Sequence, residues 1–103
     1  MRRDPISRPL SERAIELTAE RLRVMAEPNR IALLEALREG EGSVQELADR
    51  VGLPHQNASH HLGILWRAGV LVRSRESSTT TYEIADWSAC WVIEQIADEV
   101  GDG

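Results

Sequence analysis

At 103 residues, 42% of them hydrophobic, the chain has material for one small core and reads as a single domain. It has no apolar run near the ~18 residues that span a bilayer and no apolar stretch behind its N-terminal arginines to act as a secretory leader. One cysteine, Cys90, excludes an intrachain disulfide and predicts a reducing, cytoplasmic setting, while a net charge of −5 argues at first against a nucleic-acid partner.

The distribution of that charge changes its meaning. All 12 basic residues are arginines within residues 1–75, set against ten acids; residues 76–103 hold seven acids and no arginine. Residues 43–75 carry four arginines, three histidines and only two acids. The acidity gathers at the C-terminal end and leaves the middle of the chain free to meet an anion.

Residues 1–10, MRRDPISRPL, hold two prolines and three arginines and read as a disordered arm. A folded domain is expected over 11–100, with 101–103 fraying. A first helix runs from Ser11 to about Ala26; Ile15, Leu22, Met25 and Ala26 share one stripe, and Leu17 and Val24 form a second ridge. A second helix holds AEPNRIALLEAL. Ser43 and Glu46 then have capping-box spacing, and Val44, Leu47, Ala48 and Val51 recur with the period of a one-faced buried helix. Gly52 suits a left-handed helix stop, and Pro54 suits the first turn of a following helix. Two short helices about a tight turn are the anatomy of a helix-turn-helix, whose second helix enters the major groove of DNA.

In that second helix Ala58, His61, Leu62 and Leu65 fall on one stripe, with Trp66 at its edge. Gln56, His60, Gly63 and Arg67 fall on another, flanked by Asn57 and Ser59. Short hydrogen-bonding side chains near a helix N-terminus are what base-edge readout requires. An ordinary solvated face would be filled with Glu and Lys, and this one has neither. Gly63 offers a close approach of the backbone to a groove wall, and His61 on the apolar stripe reads as a hydrogen-bonded core residue. After Gly69, VLVRSRESSTTTYEIAD alternates with period two on both sides of a polar Glu76–Ser78 bend, a β-hairpin placed as a wing. Arg73 and Arg75 stand at its base, where arginine clamps phosphates.

The last helix opens near Asp86 as N-cap. Ala89, Val92, Ile93, Ile96 and Val100 make a broad apolar face, with Trp87 and Trp91 roughly opposite. A helix apolar on two sides needs two covers, and a chain this small supplies one. The expectation is a homodimer through Ile15, Leu22, Met25, Trp87, Trp91 and Ile93. The fold class is therefore mainly α with a small β-hairpin, a dimeric winged helix-turn-helix of order α-α-α-α-β-β-α.

Over roughly residues 20–86 the chain resembles the ArsR/SmtB family of bacterial winged helix-turn-helix repressors. The resemblance rests on AEPNRIALLEAL, on ELADRVGLPHQNASHHLGILWRAGVL, and on the R-x-R…YEIAD hairpin. It implies that His55, Gln56, Asn57, Ser59 and His60 face double-stranded DNA and that the terminal helices dimerise. A two-fold dimer would then read a near-palindromic operator. Two departures stand out: Pro54 replaces a common serine N-cap, and the wing lacks the glycine usual after Arg-Glu, which predicts a longer tip.

The family's thiolate metal site would fall on the helix that opens at Ser43, where this chain has Ser43 and Gln45. Its other site would fall on Asp86, Ser88, Glu99 and Asp102; carboxylates remain there but both imidazoles are missing. Oxygen ligands alone hold zinc poorly, so no metal and no cofactor is expected. Cys90 is a candidate redox sensor by the dimer interface, through an intersubunit disulfide, against the plainer reading of a small buried hydrophobe. No phosphate loop, zinc spacing or nucleophile with a base is present, so an enzyme is not expected. The effector is not named by the sequence. The rival reading is a winged helix that serves only as a protein-interaction or dimerisation module.

Overall fold

The computed structural model describes residues 9–101. Most of the expected N-terminal arm, and Asp102 and Gly103 of the expected tail, lie outside them; Pro9 and Leu10 carry no regular structure. The elements are α1 (Glu12–Met25), α2 (Pro28–Leu37), β1 (Gly42–Ser43), α3 (Val44–Val51), α4 (His55–Arg67), β2 (Leu71–Glu76), β3 (Thr79–Ile84) and α5 (Trp87–Val100).

Local chemistry sets most of these boundaries. The Ser11 hydroxyl accepts from the Ala14 amide and opens α1; the Glu27 carboxylate accepts from the Arg30 amide and opens α2, with Pro28 in the first turn. The Ser43–Glu46 capping box forms in both directions, at 3.1 and 2.9 Å. Gly52 ends α3 at φ +74, where a side chain would be strained. Pro54 takes the N-cap position that the family resemblance gave it, one place before the first helical turn. It is the N-cap itself, extended and without a side-chain oxygen, so no side chain caps the first amides of α4.

The sheet has three strands where the sequence predicted a two-stranded hairpin. Gly42 and Ser43 pair antiparallel with Tyr82 and Thr81, giving the order β1-β3-β2. A Cβ on Gly42 would stand 3.1 Å from Leu47 Cγ, so glycine lets this short strand lie close over α3. The wing itself is tighter than expected. Glu76 pairs with Thr79, leaving Ser77–Ser78 as a two-residue turn rather than a long tip. Such turns need a positive φ, and Ser77 adopts +57 in place of glycine.

The core joins Leu33, Leu34 and Leu37 of α2, Leu47 of α3, Leu62 and Leu65 of α4, and Val70, Leu71, Tyr82 and Ile84 at the wing base. Met25, Ala89 and Cys90 close its edge. One expectation changes here, and one of the two readings of Cys90 is decided. Met25 is only 4% exposed and packs inside its own chain, so it offers no surface to a partner. Cys90, 5% exposed, is likewise in the core and not on an outer face from which its sulfur could reach a second copy. Both sit where their helix passes over the core; on α1 Val24 packs there beside Met25, and Ile15, Leu17 and Leu22 lie beyond it.

Leu62→Ala removes a fully buried side chain at the centre of this cluster. It should destabilise the fold by about 2–5 kcal/mol, read from urea unfolding at fixed protein concentration.

Candidate nucleic-acid interface

Burial decides which way α4 presents its side chains. Ala58, Leu62 and Leu65 are fully buried, which turns His55, Gln56, Asn57, Ser59 and His60 outward; all five are exposed. They cluster at the N-terminal half of the helix, where the free amides also carry partial positive charge. The wing tip lies beside them. Ser43, Val44 and Gln45 of α3, His55 and Ser59 of α4, and Ser78, Thr79 and Thr80 of the wing enclose a cleft of about 420 Å³. The α3 and wing-tip members of this group were not expected from sequence. Their only signal was the hydroxyl run Ser77–Thr81, which reads equally well as a solvated bend.

Arg67 departs from the expected arrangement. It shares a stripe with Gln56 and His60 but sits three turns along, and its guanidinium folds back to 3.3 Å from where a Cβ on Gly63 would stand. Gly63 is therefore buried beneath Arg67 and is not an open approach for a groove wall. Arg67 lines a second cleft, of about 650 Å³, between α1 and the start of α5. The wing arginines are exposed but engaged: Arg73 stacks 3.5 Å over the Trp66 ring, and Arg75 donates to Thr80 Oγ1 at 2.9 Å. The expected place at the wing base does not hold: Arg73 is mid-strand opposite Tyr82, and Arg75, paired with Thr80 next to the turn, stands at the tip.

His61 behaves as the apolar-stripe reading expected. Arg30 Nη1 lies 3.2 Å from its Nδ1. Arginine can only donate, so in this contact the ring accepts at Nδ1. Arg30 also donates to the Val24 carbonyl at 2.5 Å, joining the end of α1 to α4.

Asp86 caps α5 through the Ser88 amide at 3.0 Å and hydroxyl at 2.5 Å, and its other oxygen accepts from Arg21. The Ser88 hydroxyl bond, with the Arg21 charge adding to it against partial burial, holds the Asp86 carboxyl below its ordinary value. The same Arg21 donates to the Ala68 carbonyl at 2.9 Å. Of the other positions weighed for metal, Glu99 is exposed at the end of α5 and Asp102 lies outside the described residues. Among the described residues no group of three His, Cys, Asp or Glu side chains comes together, and no helix is long and apolar enough to cross a membrane.

A large apolar surface remains uncovered. On α1, Ile15 is 54% exposed, with Leu17 and Leu22 beside it in the open; on α5, Trp87 and Trp91 are 56% and 59% exposed, and Ile96 and Val100 are free. Ile93 is half-buried against the chain's own core. A domain of this size rarely leaves so many large apolar side chains in water without a partner for them.

A helix-turn-helix domain family matches residues 25–74. The transcriptional repressor SmtB of Mycobacterium tuberculosis is 32% identical over 94 residues, which is 91% of this chain and 70% of that protein. The crystal structure of the antimony-specific repressor AntR superposes with a TM-score of 0.82 at 27% identity, covering 91% of this chain and 86% of that one. The homodimeric winged helix-turn-helix DNA-binding domain of a Mycobacterium bovis regulator matches with a TM-score of 0.75 at 26% identity, over 87% of this chain and 89% of that one.

Burial raises the Cys90 thiol pKa, against a smaller opposing pull from Arg38. A disulfide reagent at neutral pH should titrate no thiol in the native protein and one per chain in denaturant. Rapid native labelling would place the sulfur outside the core.

Proposed function

Because the chain belongs to the ArsR/SmtB family of helix-turn-helix transcriptional regulators, we propose that it represses transcription as a homodimer seated on a near-palindromic operator. One observation carries the reading: the five polar side chains at the start of α4 are all exposed, and the wing tip and the N-terminus of α3 wall the same cleft. Gln56, Asn57 and His60 present donors and acceptors at the reach base edges require. Ser43, Ser59, Ser78, Thr79 and Thr80 border them with hydroxyls suited to phosphate oxygens.

The dimer follows from the exposed apolar residues of α1 and α5, and the homodimeric Mycobacterium bovis domain supports it. Two-fold symmetry spaces the two copies of α4 by about one helical turn of DNA, ~34–36 Å. In this reading no metal is sensed at Asp86, because its two oxygens are already held by Ser88 and Arg21. The protein is placed in the cytoplasm, where its operator is.

Fluorescence anisotropy on a duplex selected by the wild-type chain tests the readout. Gln56→Ala and His60→Ala should each weaken operator binding by ~1–3 kcal/mol and leave random duplex nearly unchanged. A wild-type protein that binds no duplex at low ionic strength would leave only the interaction-module reading.

Sedimentation tests the assembly. Ile15→Glu and Trp91→Glu, each placing a charge on the free apolar surface, should shift the protein from dimer to monomer and weaken operator binding together. Wild-type protein that sediments as a monomer at micromolar concentration overturns the dimer.

A further inference from the structure

We propose that Arg21 and Arg30 are positioning residues for DNA readout: two guanidinium struts that fix the angle between the recognition helix α4 and the helix α1. The inference rests on the dimeric repressor reading above. Arg21, on α1, donates to the Ala68 carbonyl at the C-terminal end of α4 and to Asp86 at the N-cap of α5. Arg30, at the start of α2, donates to the Val24 carbonyl of α1 and to His61 Nδ1 of α4. The two attachment points on α4, His61 and Ala68, are seven residues apart, about 10 Å along the axis. Two directional attachments that far apart define a line, where one would leave a pivot.

Apolar packing holds only the last turn of α1, where Val24 is half-buried beside Met25. Met25 is the only buried residue of α1, at its last turn. Between α1, the end of α4 and the start of α5 the chains stand apart around the 650 Å³ cleft. Arg21 reaches across that cleft, one turn before Met25. Each end it binds suits a cation: a helix C-terminal carbonyl and a carboxylate at a helix N-cap. Arginine's planar fork gives each acceptor its own nitrogen in a fixed geometry, whereas lysine has a single nitrogen to share between them.

In a dimer held by α1 and α5, this angle sets the separation of the two copies of α4. Loosening the struts should therefore relax the tolerance of the dimer for half-site spacing while each α4 still reads its own half-site. The operator is first defined for wild-type protein by selection from random duplexes. Inserting or deleting one base pair at its centre turns the half-sites by about 34° and should cost wild type roughly tenfold in affinity.

Arg21→Lys keeps the charge, and Asp86→Asn keeps a capping side chain, so both variants should remain folded, as circular dichroism melting checks. In both, the one-base-pair penalty should fall to under about threefold, with binding of an isolated half-site unchanged. Spin labels at Ser59→Cys, on DNA-free dimers, should report a narrow distance between α4 copies in wild type and a broad one in Arg21→Lys. Unchanged penalty and unchanged label width overturn the struts. Loss of isolated half-site binding also overturns them, since Arg21 would then support α4 itself. Absence of all duplex binding by wild type counts against the repressor reading instead, and the label widths still decide the struts.

Discussion

Everything this protein can touch with α4 follows from three residues on the other side of that helix. Ala58, Leu62 and Leu65 are fully buried against α2, α3 and the wing base. Ala58 is small, so the first turn and a half of α4 lies close on its neighbours, and the helix cannot roll without opening a void. With that stripe fixed, Gln56 and His60 stand on the opposite face by the geometry of the helix alone. The polar face needs no contact of its own to hold it in place.

The same fold resolves the conflict between a net charge of −5 and an anionic partner. Arginine counts overstate the number of free guanidinium donors, because many are engaged inside the molecule, although of these only Arg21 and Arg38 meet carboxylates. Arg21 and Arg30 bridge helices, Arg38 joins Glu35 and Glu94, and Arg50 donates to the Ala36 carbonyl. Arg73 lies on Trp66, and Arg75 bonds within the wing. The start of α4 itself presents hydrogen-bonding side chains and no arginine, with the cations Arg73 and Arg75 held on the adjoining wing. Such a surface gains little from duplex of arbitrary sequence, and its affinity must come from matched base edges and well-placed hydroxyls.

What could be read from sequence was whatever a few adjacent residues decide. The Ser43–Glu46 capping box, the stop at Gly52 and the stripe of α4 are local, and each was legible. β1 was not, because two residues carry no periodicity and the strand exists only through its pairing with Tyr82 and Thr81. Met25 and Ile15 share a stripe on α1, yet one is buried and the other open: a helical wheel gives the face and not where along the helix its cover ends. For Cys90 the sequence left an interface sulfur and a small buried hydrophobe both open, and its burial supports the second. Arg67 had the right azimuth and the wrong height, and its fold over Gly63 depends on a side-chain path that spacing does not encode. The roles of Arg21 and Arg30 depend on partners up to 65 residues away.

The way α1 is attached bears on how such a molecule can be controlled. A helix buried along its whole length moves only if a core is broken, which costs several kcal/mol. Here α1 is rooted at one end by Met25, and beyond that root its tie to α4 runs through hydrogen bonds that are partly open to solvent. Such bonds, with a charged donor, each contribute about 1.5–3 kcal/mol, and being partly open they can exchange with water. The orientation of α1 against α4 is thus sharply defined in the folded chain yet cheap to change. Any ligand or partner that draws Arg21 away from Ala68 acts directly on the placement of the readout face, without disturbing the leucine core that keeps α4 folded.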